Sequence, residues 1–195
     1  MPIFLIHGAD GNPQENWLPY LQKELSAIVP KFPTPRNQTL KNWLKVMDKY
    51  DITPDSIFVG HSLSVPFILN LLEKHKARAA FLVAGFTGLA DNPYDNGMKT
   101  FAQRNFDWKR IKANCPHFEV FHSDNDPYLK LEKGQALSDH LGVKLTFIPH
   151  AGHFNTASGY TEFPLLLERI RNLIGQFSAS VRQCRLNQTT CPKHQ

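Results

Sequence analysis

One serine, two aspartates and two histidines stand where hydrolytic chemistry would need them. Ile57-Phe58-Val59 is a short apolar run that feeds Gly60-His61-Ser62-Leu63-Ser64, and an apolar helical pattern follows through Leu72. A strand-turn-helix elbow of this kind lifts a serine Oγ clear of a sheet and aims it at a cleft. It also brings the Leu63 N–H to a helix N-terminus, where backbone donors are unpaired and a developing negative oxygen is stabilised. Glycine is usual two residues after such a serine because helix and strand approach closely. Ser64 stands there instead, and a slightly wider elbow is expected. Pro66 falls in the first helical turn, where no intrahelical N–H bond is lost.

A serine at its ordinary pKa is a weak nucleophile and needs a base, and the base needs an orienting group. Phe118-Glu119-Val120-Phe121 reads as a strand that runs into His122-Ser123-Asp124-Asn125-Asp126-Pro127, an acidic turn. Lys144 to Pro149 reads as another strand, running into His150-Ala151-Gly152-His153-Phe154. Serine, aspartate and histidine thus each follow a strand, in that chain order. His153 is the candidate base rather than His150, because the Ala-Gly step lets the loop turn back toward the strand ends. Asp126 is the candidate orienter and Asp124 its rival. Asp126 precedes Pro127, which holds the backbone extended there.

A second backbone donor for an oxyanion would come from the loop after the first strand. Pro2 to Ile6 is an apolar run of strand length, followed by His7-Gly8-Ala9-Asp10-Gly11-Asn12-Pro13. Its glycines allow close backbone approach to a ligand. The Ala9 N–H is the first choice of donor and the Asp10 N–H the next. The loop lacks both the G-x-G-x-x-G fingerprint and the Lys-Ser/Thr of a phosphate-binding loop.

Together these stretches resemble the small α/β-hydrolases of the YdeN and retinoblastoma-binding-protein-9 type, closer to the bacterial YdeN side. The resemblance covers residues 2 to about 176. Besides the segments above it rests on Trp17-Leu18-Pro19-Tyr20-Leu21, Glu24-Leu25, Pro33-Thr34-Pro35, Asn42-Trp43-Leu44, Leu82-Val83-Ala84-Gly85-Phe86 and Asp107 through Pro116. It implies a Ser-Asp-His triad on Ser62, Asp126 and His153, and hydrolysis of small esters or related acyl compounds. The animal members' retinoblastoma-type partner depends on an L-x-C-x-E segment. This sequence has none, so that partner is not expected.

With 195 residues, the chain is long enough for one domain with a full core. No apolar run approaches the ~20 residues of a membrane span, and the start reads as a strand rather than a signal peptide. Three cysteines are too few for a disulfide framework, and reduced thiols in a cytoplasmic protein are expected. No Cys/His spacing matches a metal site, and no cofactor is expected. The net charge of +5 invites a nucleic-acid reading. Arg182, Arg185 and Lys193 supply much of it from a polar C-terminal segment, while the rest is spread along helices as on solvated faces. No nucleic-acid or membrane partner is therefore expected, and the assembly is expected to be a monomer or small homo-oligomer.

Strands are predicted near 2–7, 27–32, 56–60, 79–85, 118–122 and 144–149. Helices are predicted near 14–26, 38–49, 63–76, 130–141 and 160–177. The expected organisation is a hydrolase domain over 1–177 and a basic, mobile tail over 178–195. The alternation and the resemblance together predict a three-layer α/β-hydrolase fold: a compact, mostly parallel sheet of about six strands, helices on both faces and no large cap domain. Sites in such sheets lie at the carboxyl ends of the strands. The stretch 86–107 is expected to be a long irregular loop over a small open pocket, with Phe86, Tyr94, Phe101, Phe106 and Trp108 as lining candidates. His61 is expected to pack or hydrogen-bond locally. The reading that follows is a serine hydrolase acting on a small ester, thioester or amide through an acyl-enzyme. Its rivals are a catalytically weak hydrolase-fold interaction module and a nucleic-acid binder using the basic tail.

Overall fold

The computed structural model describes residues 1–89 and 93–189. The chain divides into two compact units, Met1–Glu162 and Phe163–Gln195. The first unit is built on a parallel sheet of β1 (Ile3–Ile6), β2 (Ile57–His61), β3 (Ala79–Val83), β4 (His117–His122) and β5 (Leu145–Phe147), paired in that order. Every residue of β1, β2 and β3 is buried. This explains why those segments read as unbroken apolar runs rather than alternating ones.

Among the described residues the sheet has five strands, not six. The segment near 27–32 contributes one parallel bridge, Phe4 to Ile28. Its bonds are Leu5 N–H to Ile28 O at 2.9 Å and Ile28 N–H to Ile3 O at 2.8 Å. Pro30 and Pro33 follow at once and cannot donate to a ladder, so pairing stops there. That bridge has a topological consequence. Ile28 lies along one side of β1 and β2 along the other, so the chain reverses its winding at β1. Crevices in open α/β sheets form at such a reversal, outside the carboxyl ends of the strands.

Helices α1 (Leu18–Leu25), α2 (Leu40–Met47), α3 (Ser64–Leu72) and α6 (Leu131–Leu141) lie within the predicted spans. Their ends follow local chemistry. The Thr39 hydroxyl accepts the Asn42 N–H and opens α2, and Gly142 in the left-handed region closes α6. α1 starts four residues later than expected, because 13–17 is a run of turns.

Two helices fall where the sequence suggests none. α4 (Asp95–Ala102) lies inside the stretch read as irregular, and α5 (Trp108–Asn114) follows it. Gly97 weakens the helical signal of α4, but Met98, Phe101 and Ala102 form a buried stripe. Asn70, buried on α3, donates to Pro66 O at 2.7 Å and Phe101 O at 2.9 Å, and accepts from Arg104 Nη1 at 2.7 Å. Tertiary packing thus makes α4 a helix.

In the second unit, α7 runs from Pro164 to Thr189. The first part of the expected tail is therefore helical. No glycine or proline interrupts it between Gly175 and Pro192, and its Gln, Arg and Leu residues are adequate helix formers. Residues 190–195 of that tail lie outside the described residues. Among the described residues no helix is long and apolar enough to cross a membrane.

Candidate active site

β2 ends at His61 and α3 begins at Ser64, so Ser62 and Leu63 make the whole turn. Ser62 has φ of 56°, a left-handed backbone that residues with a Cβ adopt rarely and that clusters at functional sites. Two bonds hold it: Ser62 N–H to Val83 O and Val65 N–H to Ser62 O, both 2.9 Å. The Leu63 side chain cannot cap α3 and makes no capping bond. Ser64 is accommodated by its own chemistry. Its hydroxyl lies 2.9 Å from Ile6 O and 2.8 Å from His61 O, the last carbonyls of β1 and β2. Gly60 supplies the room, since a Cβ there would sit 2.8 Å from Ser64 Oγ.

The two loops after β4 and β5 are joined group by group. His150 N–H donates to Asp124 Oδ1 at 2.8 Å, Ala151 N–H to Ser123 Oγ at 2.9 Å and Gly152 N–H to Asn125 Oδ1 at 2.7 Å. The fourth contact is ring to carboxylate, His153 Nδ1 to Asp126 Oδ2 at 2.7 Å. The Asp126 side chain is fully buried and His153 nearly so. The other Asp126 oxygen accepts Tyr128 N–H at 2.9 Å and Leu129 N–H at 3.1 Å. Both Asp126 oxygens are therefore committed, one to the loop and one to the imidazole.

The loop after β1 approaches the elbow closely. A Cβ on Gly8 would lie 3.1 Å from Ser62 Cβ and 3.2 Å from His61 O. His7 braces this loop: its Nδ1–H donates to Gly8 O at 2.9 Å, and its Nε2 accepts Phe32 N–H at 3.2 Å. Burial lowers its pKa and favours the neutral ring this pattern needs. Asp10 N–H is occupied by Thr34 Oγ1 at 2.8 Å, which removes the second-choice donor. Ala9 lines the same cleft as Ser62.

His61 packs edge to face on Trp17, ring centroids 5.9 Å apart, and its ring bonds to a loop far along the chain. Its Nε2–H donates to the His153 carbonyl at 2.7 Å. Burial first, and the neighbouring His153 second, push its pKa down to about 3, so it acts as a neutral donor. Trp17 Nε1–H holds the next carbonyl, Phe154 O, at 3.0 Å. Buried His122 does the same for the acidic loop, donating from Nε2 to Leu129 O at 3.0 Å. No short-range pattern marks these three as loop anchors, because their carbonyl partners lie 92, 137 and 7 residues away along the chain.

Ser62 and His153 share a cleft of about 270 Å³. Of the five aromatics expected to line it, only Tyr94 does. Phe86, Phe101 and Phe106 are buried in the core, and Trp108 stacks on His140 at 4.5 Å. Burial of these rings outweighs what they would gain at an open rim. Tyr128, not anticipated, lines the cleft and meets His153 edge to face at 4.9 Å.

Residues 3–172 match the model of a protein family described as serine hydrolase. The chain belongs to that family. This serine hydrolase is 28% identical to YdeN of Bacillus subtilis over 177 residues, covering 85% of this chain and 92% of the relative. It is also 28% identical to the serine hydrolase RBBP9 of Rattus norvegicus over 165 residues, covering 81% and 86%. The crystal structure of the YdeN gene product superposes with a TM-score of 0.82 at 26% identity, over 89% of this chain and 98% of that one. Est1E from Butyrivibrio proteoclasticus shares the fold at a TM-score of 0.63 and 18% identity, over 91% and 88%. The fold of the serine hydrolase is thus the three-layer α/β-hydrolase fold.

Proposed function

We propose that the protein hydrolyses a small ester, thioester or amide, carboxylesterase-like, through an acyl-enzyme on Ser62, with His153 as base and Asp126 as its orienter. The observation that carries this reading is the buried 2.7 Å contact between His153 Nδ1 and Asp126 Oδ2, in the cleft that Ser62 lines. With Nδ1–H given to Asp126, the lone pair lies on Nε2, the tautomer a general base requires.

In the reaction, His153 Nε2 takes the Ser62 Oγ proton as Oγ attacks the acyl carbon. The oxyanion is met by Leu63 N–H and Ala9 N–H, and preorganised donors of this kind are worth about 10²–10³ in rate each. His153 then returns the proton to the leaving group. The acyl-enzyme forms as the bond to that group breaks. Water repeats the sequence, giving its proton to His153 and releasing the acid. Asp126 stays ionised throughout and stabilises the imidazolium. The cleft volume suits a small acyl substrate.

The test is a fluorophosphonate probe with the adduct mapped by mass spectrometry, together with turnover of p-nitrophenyl esters of increasing chain length. An adduct on Ser62, lost in Ser62→Ala along with turnover, is expected. A stable adduct elsewhere with Ser62 free overturns the assignment.

A further inference from the structure

Among the described residues that line the cleft, the carboxylate and ammonium or guanidinium side chains are of one sign. Asp10 and Glu15 line it, and no lysine or arginine does among its described residues. The chain as a whole is net +5, so this local negative potential runs against the global charge. Both carboxylates are held by their surroundings. Asp10 sits at φ of 53°, with its N–H on Thr34 Oγ1 at 2.8 Å and its Oδ1 3.3 Å from the same hydroxyl. Glu15 Oε1 is bonded by Asn12 Nδ2, and its field reaches His7 inside the cleft. The wall also holds two tyrosines, Tyr94 and Tyr128, edge to face at 5.9 Å. Carboxylates attract an organic cation by charge, and aromatic faces attract it through the ring quadrupole.

We infer that Asp10 and Glu15, with Tyr94 and Tyr128, select acyl substrates that carry a cationic group such as an ammonium, and disfavour anionic ones. This rests on the reading of Ser62 as nucleophile. Both acids are exposed, so each acts through water. At ~7 Å in water one carboxylate changes the encounter with a unit charge by about threefold. Two of them separate a cation from an anion by roughly tens-fold, and salt reduces the ratio.

The experiment uses three benzenesulfonyl fluorides with para substituents: 2-aminoethyl (cationic), ethyl (neutral) and carboxylate (anionic). Each would form an Oγ–S bond on Ser62 as S–F breaks. Fluoride leaves and His153 takes the serine proton. Rates are read by intact-mass spectrometry, corrected for each probe's reactivity toward hydroxide, and sites are mapped by peptide analysis. The expected result is a cation-to-anion rate ratio of roughly ten or more at low salt. That ratio falls at least threefold in 0.5 M NaCl and collapses toward one in the Asp10→Asn/Glu15→Gln double variant. Corrected rates on Ser62 that are equal for the three probes, or a ratio the double variant leaves unchanged, overturn the inference and leave the Ser62 reading intact. Failure of every probe to modify Ser62, while a fluorophosphonate also leaves it free, overturns that reading and this inference with it.

Discussion

Asp124 and His150 are bound to each other on the outer side of the loop whose inner side joins Asp126 to His153. Asp124 Oδ1 accepts His150 N–H at 2.8 Å, and its Oδ2 lies 3.8 Å from His150 Nδ1. The His150 side chain is 83% exposed, whereas that of Asp126 is fully buried. The His150 N–H is the main group holding the Asp124 carboxyl below its usual pKa. One pair is a surface clamp and the other a buried contact, although the four residues lie within a few positions of each other in two loops.

The two aspartates should therefore differ sharply on substitution. Asp126→Asn would present an amide to His153 Nδ1 and favour the wrong tautomer, lowering kcat by on the order of 10³–10⁴. Asp124→Asn keeps an oxygen for the His150 N–H and should cost less than about tenfold. Steady-state kinetics on an activated ester checks this, and the opposite ranking would show that Asp124 is the orienter.

Gly8→Ala should damage rate more than binding. The new Cβ would press on Ser62 Cβ at 3.1 Å and His61 O at 3.2 Å, neither of which is the end of a flexible side chain. The loop must shift, and a misplaced oxyanion donor costs about ten- to a hundred-fold in kcat. KM should change less than threefold on the same ester. A variant with wild-type kcat would show that the Ala9 N–H is not part of the oxyanion site.

Stability should fall as pH drops below neutrality, and His61 should contribute. Its folded-state pKa is about 3, against ~6.5 in the unfolded chain. Between those values the unfolded chain binds a proton that the folded one refuses. Unfolding free energy then decreases by up to about 1.4 kcal/mol per pH unit from this residue. Burial lowers His7 and His122 as well, in the same sense. Urea unfolding of His61→Gln, which keeps a donor for the His153 carbonyl, should show a shallower loss between pH 6.5 and 4.5. Identical slopes in the two proteins would mean that His61 titrates normally when folded.

Asn70 should matter both for stability and for the cleft. Asn70→Ala would leave Pro66 O, Phe101 O and Arg104 without its amide, at a cost of about 2–4 kcal/mol. Because α4 carries Met98 into the cleft wall, KM should rise more than kcat falls. Urea titration and steady-state kinetics report the two effects, and an unchanged KM in a destabilised protein would separate α4 packing from the cleft.

Much of the fold was legible because its signals are local. Fully buried parallel strands read as short apolar runs, and β1 through β3 were placed that way. The Gly-His-Ser elbow needs only adjacent residues, so Ser62 and the turn at Leu63 could be located without knowledge of the rest of the chain. The order of serine, aspartate and histidine, each after a strand end, also survives in one dimension.

The sequence by itself therefore determined the sheet type, the elbow and a short set of candidate acids and bases. Tertiary structure decided what depends on groups distant in the chain meeting in space. The pairing of Asp126 with His153, and of Asp124 with His150, follows from how two loops align their donors and acceptors across 27 and 26 residues. The reach of His61 to the His153 carbonyl spans 92. Ser64 in place of glycine is tolerated because Gly60 clears the space. α4 forms because a buried amide and an apolar stripe outweigh the weak propensity around Gly97, and the same packing draws Phe101 into the core instead of the cleft. Short-range propensity is written along the chain, but hydrogen-bond partners and burial are properties of the packed interior, where desolvation makes each unpaired polar group costly enough to select one arrangement.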